Sequence, residues 1–422
     1  MKRRITGTIL ALAAVSALAG PRSSASAQEP AGAVSLEEAL ALFGRNSPEL
    51  QLARSRLRRA LGTARQGRAV PNPTLSATHE ALGDYSESYL NLTQRMDFLW
   101  EAGVRSGRAE ALRSGARARF VADSALLALE LKRVYLAAWR HRDALEALLQ
   151  ANEVVAEILA AAGARFEEGE LAGYDLRRLR LERVRLGQRI ASVELAVGDA
   201  ERHLAALLDP SLESRRVRAE TIGSGGPEWD PAGDHVTRAL GSRSEMVEAM
   251  ELVSAMRAEA GLTRKSLLTG TRITGGLKRQ SDGLDGIFVG LEVPLPLSDR
   301  RAGAKDAVAS AVAEAELQVE LLSRAITREV TLAAARLEST ERQLDLLGPN
   351  AVGAAQELLA IGRLSYAEGE LTIVELLDAT EVFIEARLLD SQIRGDLWKA
   401  FFELDHAVGG YVVDSSDERS ER

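Results

Sequence analysis

Glu375 and Asp378 stand three residues apart in the run Thr372-Ile373-Val374-Glu375-Leu376-Leu377-Asp378, and Asp175 lies 200 residues before Glu375. On a helix this spacing puts Glu375 and Asp378 on one face. Acids so placed can do two things. Near a helix N-terminus they complement the dipole and solvate the surface. Crowded together they repel, acquire raised pKa values and concentrate cations. Neither role is catalysis, and no Ser/His/Asp set or catalytic carboxylate pair stands out elsewhere. The chain has no cysteine, so it has no thiolate nucleophile or thiolate metal ligand. Its five histidines, His79, His141, His203, His235 and His406, do not lie at ligand spacing. Met246, Met250 and Met256 share one helical stretch and read as packing rather than as a copper-ligand stripe. The glycines from Gly223 to Gly226 lack the strand, lysine and helix context of a phosphate loop. No enzyme, cofactor or resident metal is expected.

The acids must be positioned by something, and the surrounding pattern is duplicated. Glu-Gly-Glu-Leu occurs at 168–171 and again at 368–371, a spacing of 200 residues. An aromatic residue, Phe166 or Tyr366, precedes each glycine, and an apolar helical pattern follows each. Glycine ends a helix cheaply because it accepts the left-handed conformation. Gly169, Glu170 and Leu171, and likewise Gly369, Glu370 and Leu371, therefore read as tips of two helical hairpins.

Residues 1–27 read as a secretory signal, with Lys2, Arg3 and Arg4 before the apolar run Ile9 to Ala19 and Ala25-Ser26-Ala27 at the cleavage position. Loss of that segment removes Lys2, Arg3, Arg4 and Arg22, taking the formal charge from −8 to −12. Nucleic acid is an unfitting partner for such a chain. An exported protein without disulfides must be held by packing or by oligomerisation. Past residue 27 no run of about 18 apolar residues is evident, so no membrane-spanning helix is expected.

The mature chain then repeats one order. Ser35-Leu36-Glu37-Glu38 has capping-box spacing and starts a helix to about Gln66. Alternating stretches at about 74–80 and 86–98 read as strands, with a loop over 81–86. From about Ala102 a heptad register runs toward the first tip, with Leu127, Val134, His141, Leu148 and Val155 in one row and Leu131, Ala138, Leu145, Asn152 and Leu159 in the other. Such heptads pack helices side by side, and polar seam residues such as His141 and Asn152 commonly fix register. A return helix follows from Asp175 to Leu208. The first repeat thus spans 28–208, and the stretch 209–234, with Pro210, Pro227 and Pro231, is a linker. The second repeat spans 235–410: a helix from Val236 to Lys265, strands at about 267–278 and 286–295, a long helix from Arg301 interrupted at Pro349, the second tip, and a last helix ending near Gly409. Residues 411–422 read as a loose polar tail.

Two strands per half make four, too few to close a barrel, and a sheet facing lipid cannot leave its edges open. Either the sheet packs its apolar face on a helix, or several copies pool their strands into one barrel. The export signal and helices of about 60 residues, far beyond ordinary globular length, favour pooling.

This layout resembles the TolC-like outer-membrane efflux protein family, over nearly the whole mature chain. Ser35 to Leu40 with Asn46-Ser47-Pro48-Glu49-Leu50 is similar to the family's opening helix. Tyr366-Ala367-Glu368-Gly369 and Thr372 to Thr380 are similar to its second periplasmic tip. Pro294-Leu295-Pro296-Leu297-Ser298-Asp299-Arg300 is similar to the strand exit of the heavy-metal branch. The resemblance implies a mainly α homotrimer with a small β part: a twelve-stranded barrel in outer-membrane lipid, continued by a periplasmic α-helical barrel. It implies a passive exit duct that docks a periplasmic adaptor and an inner-membrane pump, of resistance-nodulation-division type. Glu375 and Asp378, with Asp175 as a weaker candidate, would ring the narrow periplasmic mouth, and the tips would meet the adaptor. Two other readings remain: a periplasmic helical-hairpin adaptor or scaffold, and a hydrolase whose nucleophile is not visible.

Overall fold

The computed structural model describes residues 31–212, 216–222, 227, 229–230, 233–265, 269–295, 297, 301–348 and 350–410. The signal segment, the tail, Leu267, Gly223 to Gly226, Pro231, Pro296, Ser298 to Arg300 and Pro349 lie outside the described residues.

The chain begins with a short strand β1 (Ala31–Val34) and helix α1 (Leu36–Asn46). Ser35 opens α1 as the sequence suggests: the Glu38 N–H donates to Ser35 Oγ at 3.2 Å, and the Ser35 N–H donates to Glu38 Oε2 at 3.1 Å. The expected single helix to Gln66 is in fact two. Pro48 sits in the first turn of α2 (Pro48–Arg68), and Ser47 caps it by accepting the Leu50 N–H at 3.3 Å. A proline is tolerated there because that N–H has no helical partner anyway.

Strands β2 (Thr74–Leu82) and β3 (Tyr85–Arg95) form a hairpin whose turn needs only Gly83, at φ +64°, and Asp84. The strand expected to reach residue 98 stops at Arg95. Asp97, 1 % exposed, accepts from Arg95 Nε at 3.0 Å and from the Gly270 N–H at 3.0 Å, so the backbone is turned before Phe98 starts α3 (Phe98–Glu167). At 1.5 Å per residue α3 is about 105 Å long. It packs against α2, α4, α6 and α9, which explains why burial extends beyond the two seam rows to Tyr135, Leu136 and Trp139. One stretch of α3 is by length and composition apolar enough to cross a membrane, a property that a core helix packed among other helices shares.

Helix α4 (Gly173–Leu208) returns, and a 3-10 turn, Pro210–Leu212, leads on. The supposed linker then contains a strand, β4 (Val217–Ala219), paired parallel with β1. Helices α5 (His235–Ser242) and α6 (Ser244–Lys265) replace the one expected helix. They break at Arg243, whose buried guanidinium bonds Glu245 at 2.8 Å and Glu329 at 2.6 Å. Strands β5 (Arg272–Gln280) and β6 (Asp285–Glu292) precede α7 (Ala302–Leu347), α8 (Ala351–Ala367) and α9 (Ile373–Val408). Gly348, at φ +75°, separates α7 from α8, while Gly409, at φ +83°, ends α9. Helices α4 and α9 are both 36 residues long and start 200 residues apart.

The four long strands form one antiparallel sheet in the order β2-β3-β5-β6. The halves are joined at β3–β5, in register from Glu87↔Gln280 to Arg95↔Arg272. The outer edges of β2 and β6 are unpaired among the described residues. The core is strung along the rods rather than gathered at one centre. One cluster surrounds Tyr135, Trp139 and Phe402, one surrounds Ile326, Leu337 and Leu397, and one lies at the hairpin ends around Leu179, Leu376 and Phe383.

Candidate functional site

Two regions at opposite ends of the rods hold the features that matter. At one end are the hairpin tips. Gly169 and Gly369 share φ +81°, and each closes its helix the same way. The Glu170 N–H donates to Arg165 O and the Glu370 N–H to Ser365 O, both at 2.8 Å, while Gly169 and Gly369 donate to Phe166 O and Tyr366 O at 3.1 Å. This pair of bonds around a left-handed glycine is the Schellman arrangement. Glu170 and Glu370 are exposed at the ends, and Leu171 and Leu371 are half-buried behind them.

The tips are equivalent in backbone but not in surroundings. Tyr366 is 6 % exposed and Phe166 44 %. Tyr366 belongs to the apolar cluster at the hairpin ends, and Arg165 covers it as well: it donates to Tyr366 O at 3.3 Å and to Ala367 O at 3.0 Å and lays its guanidinium 5.3 Å from the Tyr366 ring centre. The first hairpin therefore supplies a cation to the carbonyl end of α8 in the second. Position 365 holds serine where the first copy has Arg165, so nothing in the local pattern announces this contact. Further ion pairs link the α3/α4 hairpin to the α8/α9 hairpin: Arg363 with Glu157, Arg189 with Glu381 at 2.9 Å, and Arg387 with Asp143 at 3.3 Å.

The three candidate acids divide at this end. Glu375 completes a capping box with Thr372. Its Oε2 accepts the Thr372 N–H at 2.7 Å and the hydroxyl at 2.8 Å, and its own N–H donates to Thr372 Oγ1 at 3.4 Å. The Thr372 amide, then its hydroxyl, hold the Glu375 carboxyl below the ordinary range. Within one chain this opposes the rise expected from crowding. The Thr372-x-x-Glu375 spacing was as readable as that of Ser35 and Glu38. Asp378 is exposed one turn on and makes no hydrogen bond or ion pair among the described residues. Asp175 is half-buried in the first turn of α4, where Ala172 stands in place of Thr372 and no side-chain cap forms.

Elsewhere, Met246 is buried while Met250 is 48 % exposed, so the methionines form no stripe. His141 lies half-buried, its pKa lowered by burial and by neighbouring Arg140. Among the described residues no group of three His, Cys, Asp or Glu could hold a metal ion.

At the other end is the sheet. Register puts Leu75, Ala77, Leu90, Leu92, Ile273, Leu277, Ile287, Val289 and Leu291 on one face, and these side chains are turned to the outside, Ile287 being 81 % and Leu291 70 % exposed. The opposite face is polar. There Glu87 accepts from Tyr85 Oη at 2.6 Å, from Gln280 Nε2 at 2.7 Å, from Tyr89 Oη, and from Lys278 Nζ at 2.8 Å. Thr93 and Thr274 bond across the β3–β5 junction at 3.0 Å. Phe288 stands edge-on to Tyr89, with ring centres 6.4 Å apart. Its ring also covers Gly276, where an added Cβ would lie 2.5 Å from it. A sheet with one apolar face, one polar face and two open edges is suited to lipid on one side and water on the other.

Residues 236–410 match the family described as outer membrane efflux protein. The cobalt-zinc-cadmium resistance protein CzcC of Cupriavidus metallidurans is 24% identical over 403 residues, covering 90% of this chain and 91% of that relative. Among solved structures, the outer membrane protein VceC from Vibrio cholerae superposes with a TM-score of 0.73 at 19% identity, covering 89% of this chain and 96% of that one. The Campylobacter jejuni outer membrane channel CmeC gives 0.76 at 17% identity, covering 92% and 88%. CusC gives 0.73 at 19% identity, covering 92% and 96%.

Proposed function

We propose that this chain, which is similar to the outer membrane efflux proteins, is the outer-membrane exit duct of a metal-cation efflux system. Three copies pool their four strands into a twelve-stranded barrel, with the apolar faces toward lipid and the polar network of Glu87 toward the lumen. The two repeats, 28–208 and 235–410, then stand as staves of one helical tunnel, joined by the 209–234 segment. The duct does no chemistry. Work is done by an inner-membrane pump of resistance-nodulation-division type, reached through a periplasmic adaptor. The tips Gly169-Glu170-Leu171 and Gly369-Glu370-Leu371 are the adaptor contacts. Asp378 and Glu375 line the periplasmic mouth with Asp175 beside them, and three copies of Asp378, without an ion pair among the described residues, give that mouth a cation-attracting ring.

The observation that carries this reading is the sheet, whose two edges are open and whose apolar face is left exposed among the described residues. The cargo is argued from the curated relative, whose name is a cobalt-zinc-cadmium resistance protein. Deleting the gene in its own host should lower tolerance to one or more of these cations, and plasmid-borne wild-type protein should restore it. Unchanged tolerance to all three, with lost tolerance to organic toxicants, would reject metal cargo and keep the duct.

A further inference from the structure

Charge is distributed unevenly about the apolar band of the sheet. Only Met96 and Asp97 separate β3 from α3, so the first turn of α3 lies within about 10 Å of the sheet's edge. Lys265, at the end of α6, donates to Trp100 O in that turn at 2.9 Å, which fixes its level. Trp100 itself is half-buried there, at the depth where amphipathic rings mark a membrane interface. Arg65 and Arg68 end α2, Arg264 ends α6 beside Lys265, and Lys305 lies in the first turn of α7.

These five cations are exposed and form no ion pair among the described residues. The other charges of the band are mostly matched. Arg105 meets Glu101 at 3.6 Å, Arg108 meets Glu259 at 2.7 Å, Arg272 meets Glu292 at 2.9 Å, and Arg95 meets Asp97. Asp306 is the acid left without an ion pair there among the described residues. At the far rim the balance is reversed: Glu80, Asp84 and Asp282 have no ion-pair partner among the described residues. Cations in a last turn complement a helix dipole, which would account for α2 and α6. The same preference works against Lys305, which opens a helix with no acid in its first turn. The dipole alone does not explain the set.

We infer that Arg65, Arg68, Arg264, Lys265 and Lys305 form a basic collar that binds phosphate groups of anionic phospholipids in the leaflet facing the periplasm. The inference rests on the reading of the sheet as embedded in a bilayer. The apolar band sets the collar at headgroup depth, and long basic side chains reach such a surface readily. The collar orients the barrel, with its acidic rim turned away from that leaflet.

The test uses the detergent-purified full-length protein, incubated with phosphatidylglycerol or phosphatidylcholine and weighed intact by native mass spectrometry. Wild type should retain phosphatidylglycerol preferentially. Each neutralising substitution among R65Q, R68Q, R264Q, K265Q and K305Q should weaken that preference by about five-fold or less, and the combined variant should abolish it. The charge-preserving set R65K, R68K and R264K should keep it, with melting temperature showing that all variants are folded. Equal retention by the neutralised variant, or no preference in wild type, overturns the collar. Displacement of the lipid by inorganic phosphate alone would make it a general anion patch and overturn the lipid assignment. Fractionation of the same cells separates the two layers of argument. A membrane-embedded trimer without lipid preference defeats the collar only, whereas absence from the outer-membrane fraction defeats the reading beneath it as well.

Discussion

The Arg165 guanidinium, at the end of the first hairpin's outgoing helix, donates to the Tyr366 carbonyl at 3.3 Å and lies 5.3 Å from the centre of its ring. One side chain thereby serves the carbonyl end of α8 and adds a contact between the two tips to the ion pairs and apolar cluster already there. Arg165→Ala should free the second tip. A hydrogen bond from a charged donor contributes on the order of 1–3 kcal/mol, and the half-buried position puts this contact at the low end. Amide exchange over 364–372 should accelerate, and single-channel conductance should rise. Unchanged exchange would show that the tips are held by packing instead.

The cap on α9 should respond to acid. Glu375 has a folded-state pKa below its ordinary unfolded value because the Thr372 amide, and then its hydroxyl, donate to the carboxylate. Its contribution is therefore fully present above that value and is lost as pH falls through the lower folded-state pKa. Exchange of the amides in the first turn of α9 should quicken across that window. In Glu375→Gln the dependence should vanish. A wild-type profile that stays flat there would show that the cap does not titrate.

Asp378 and Glu375 should set ion preference. The double variant Glu375→Gln/Asp378→Asn should reduce cation-over-anion selectivity in planar bilayers, with Asp378→Asn alone accounting for most of the loss. Selectivity and conductance both equal to wild type would remove these residues from the mouth.

The two sheet faces should differ sharply in tolerance. Leu90→Arg places a charge on the apolar face, at a cost of about 2–4 kcal/mol at mid-bilayer depth. Thr93→Lys places one on the polar face and should leave assembly intact. Equal yields of membrane-inserted protein would contradict the assignment of faces.

The glycine at the second tip separates turn from contact. Gly369 has φ +81°, and an added Cβ would meet nothing within 4 Å, so Gly369→Leu acts first by straining the backbone. That conformation costs about 1–3 kcal/mol for a side-chain-bearing residue. Export should fall and the trimer should persist. Loss of the trimer would favour a purely structural glycine.

What the residues disclosed beforehand follows from which interactions are local. Tips, caps and heptads depend on neighbours within a few positions, so Gly169, Gly369 and Ser35 announce themselves. The break at Ser47-Pro48 was equally local, yet it sits within one apolar stripe that continues across it. The pairing of β4 with β1 was hidden because it spans three residues in a stretch rich in proline and glycine. The end of β3 at Arg95 depends on Asp97 meeting Gly270, 173 positions away. Arg165 is of the same kind, since its partner lies 201 residues on. The duplicated pattern predicts twins at both tips, and the structure instead makes one the support of the other.

The central claim is that this chain shares its sheet with copies of itself. The most direct measurement is the mass of the detergent-solubilised protein from the outer-membrane fraction, taken with a three-dimensional reconstruction of the same sample. The account predicts three chains around one axis and a closed ring of twelve strands, with β2 of each copy paired to β6 of the next. A monodisperse single chain that stays in solution without detergent, its sheet edges covered by its own helices, would contradict it.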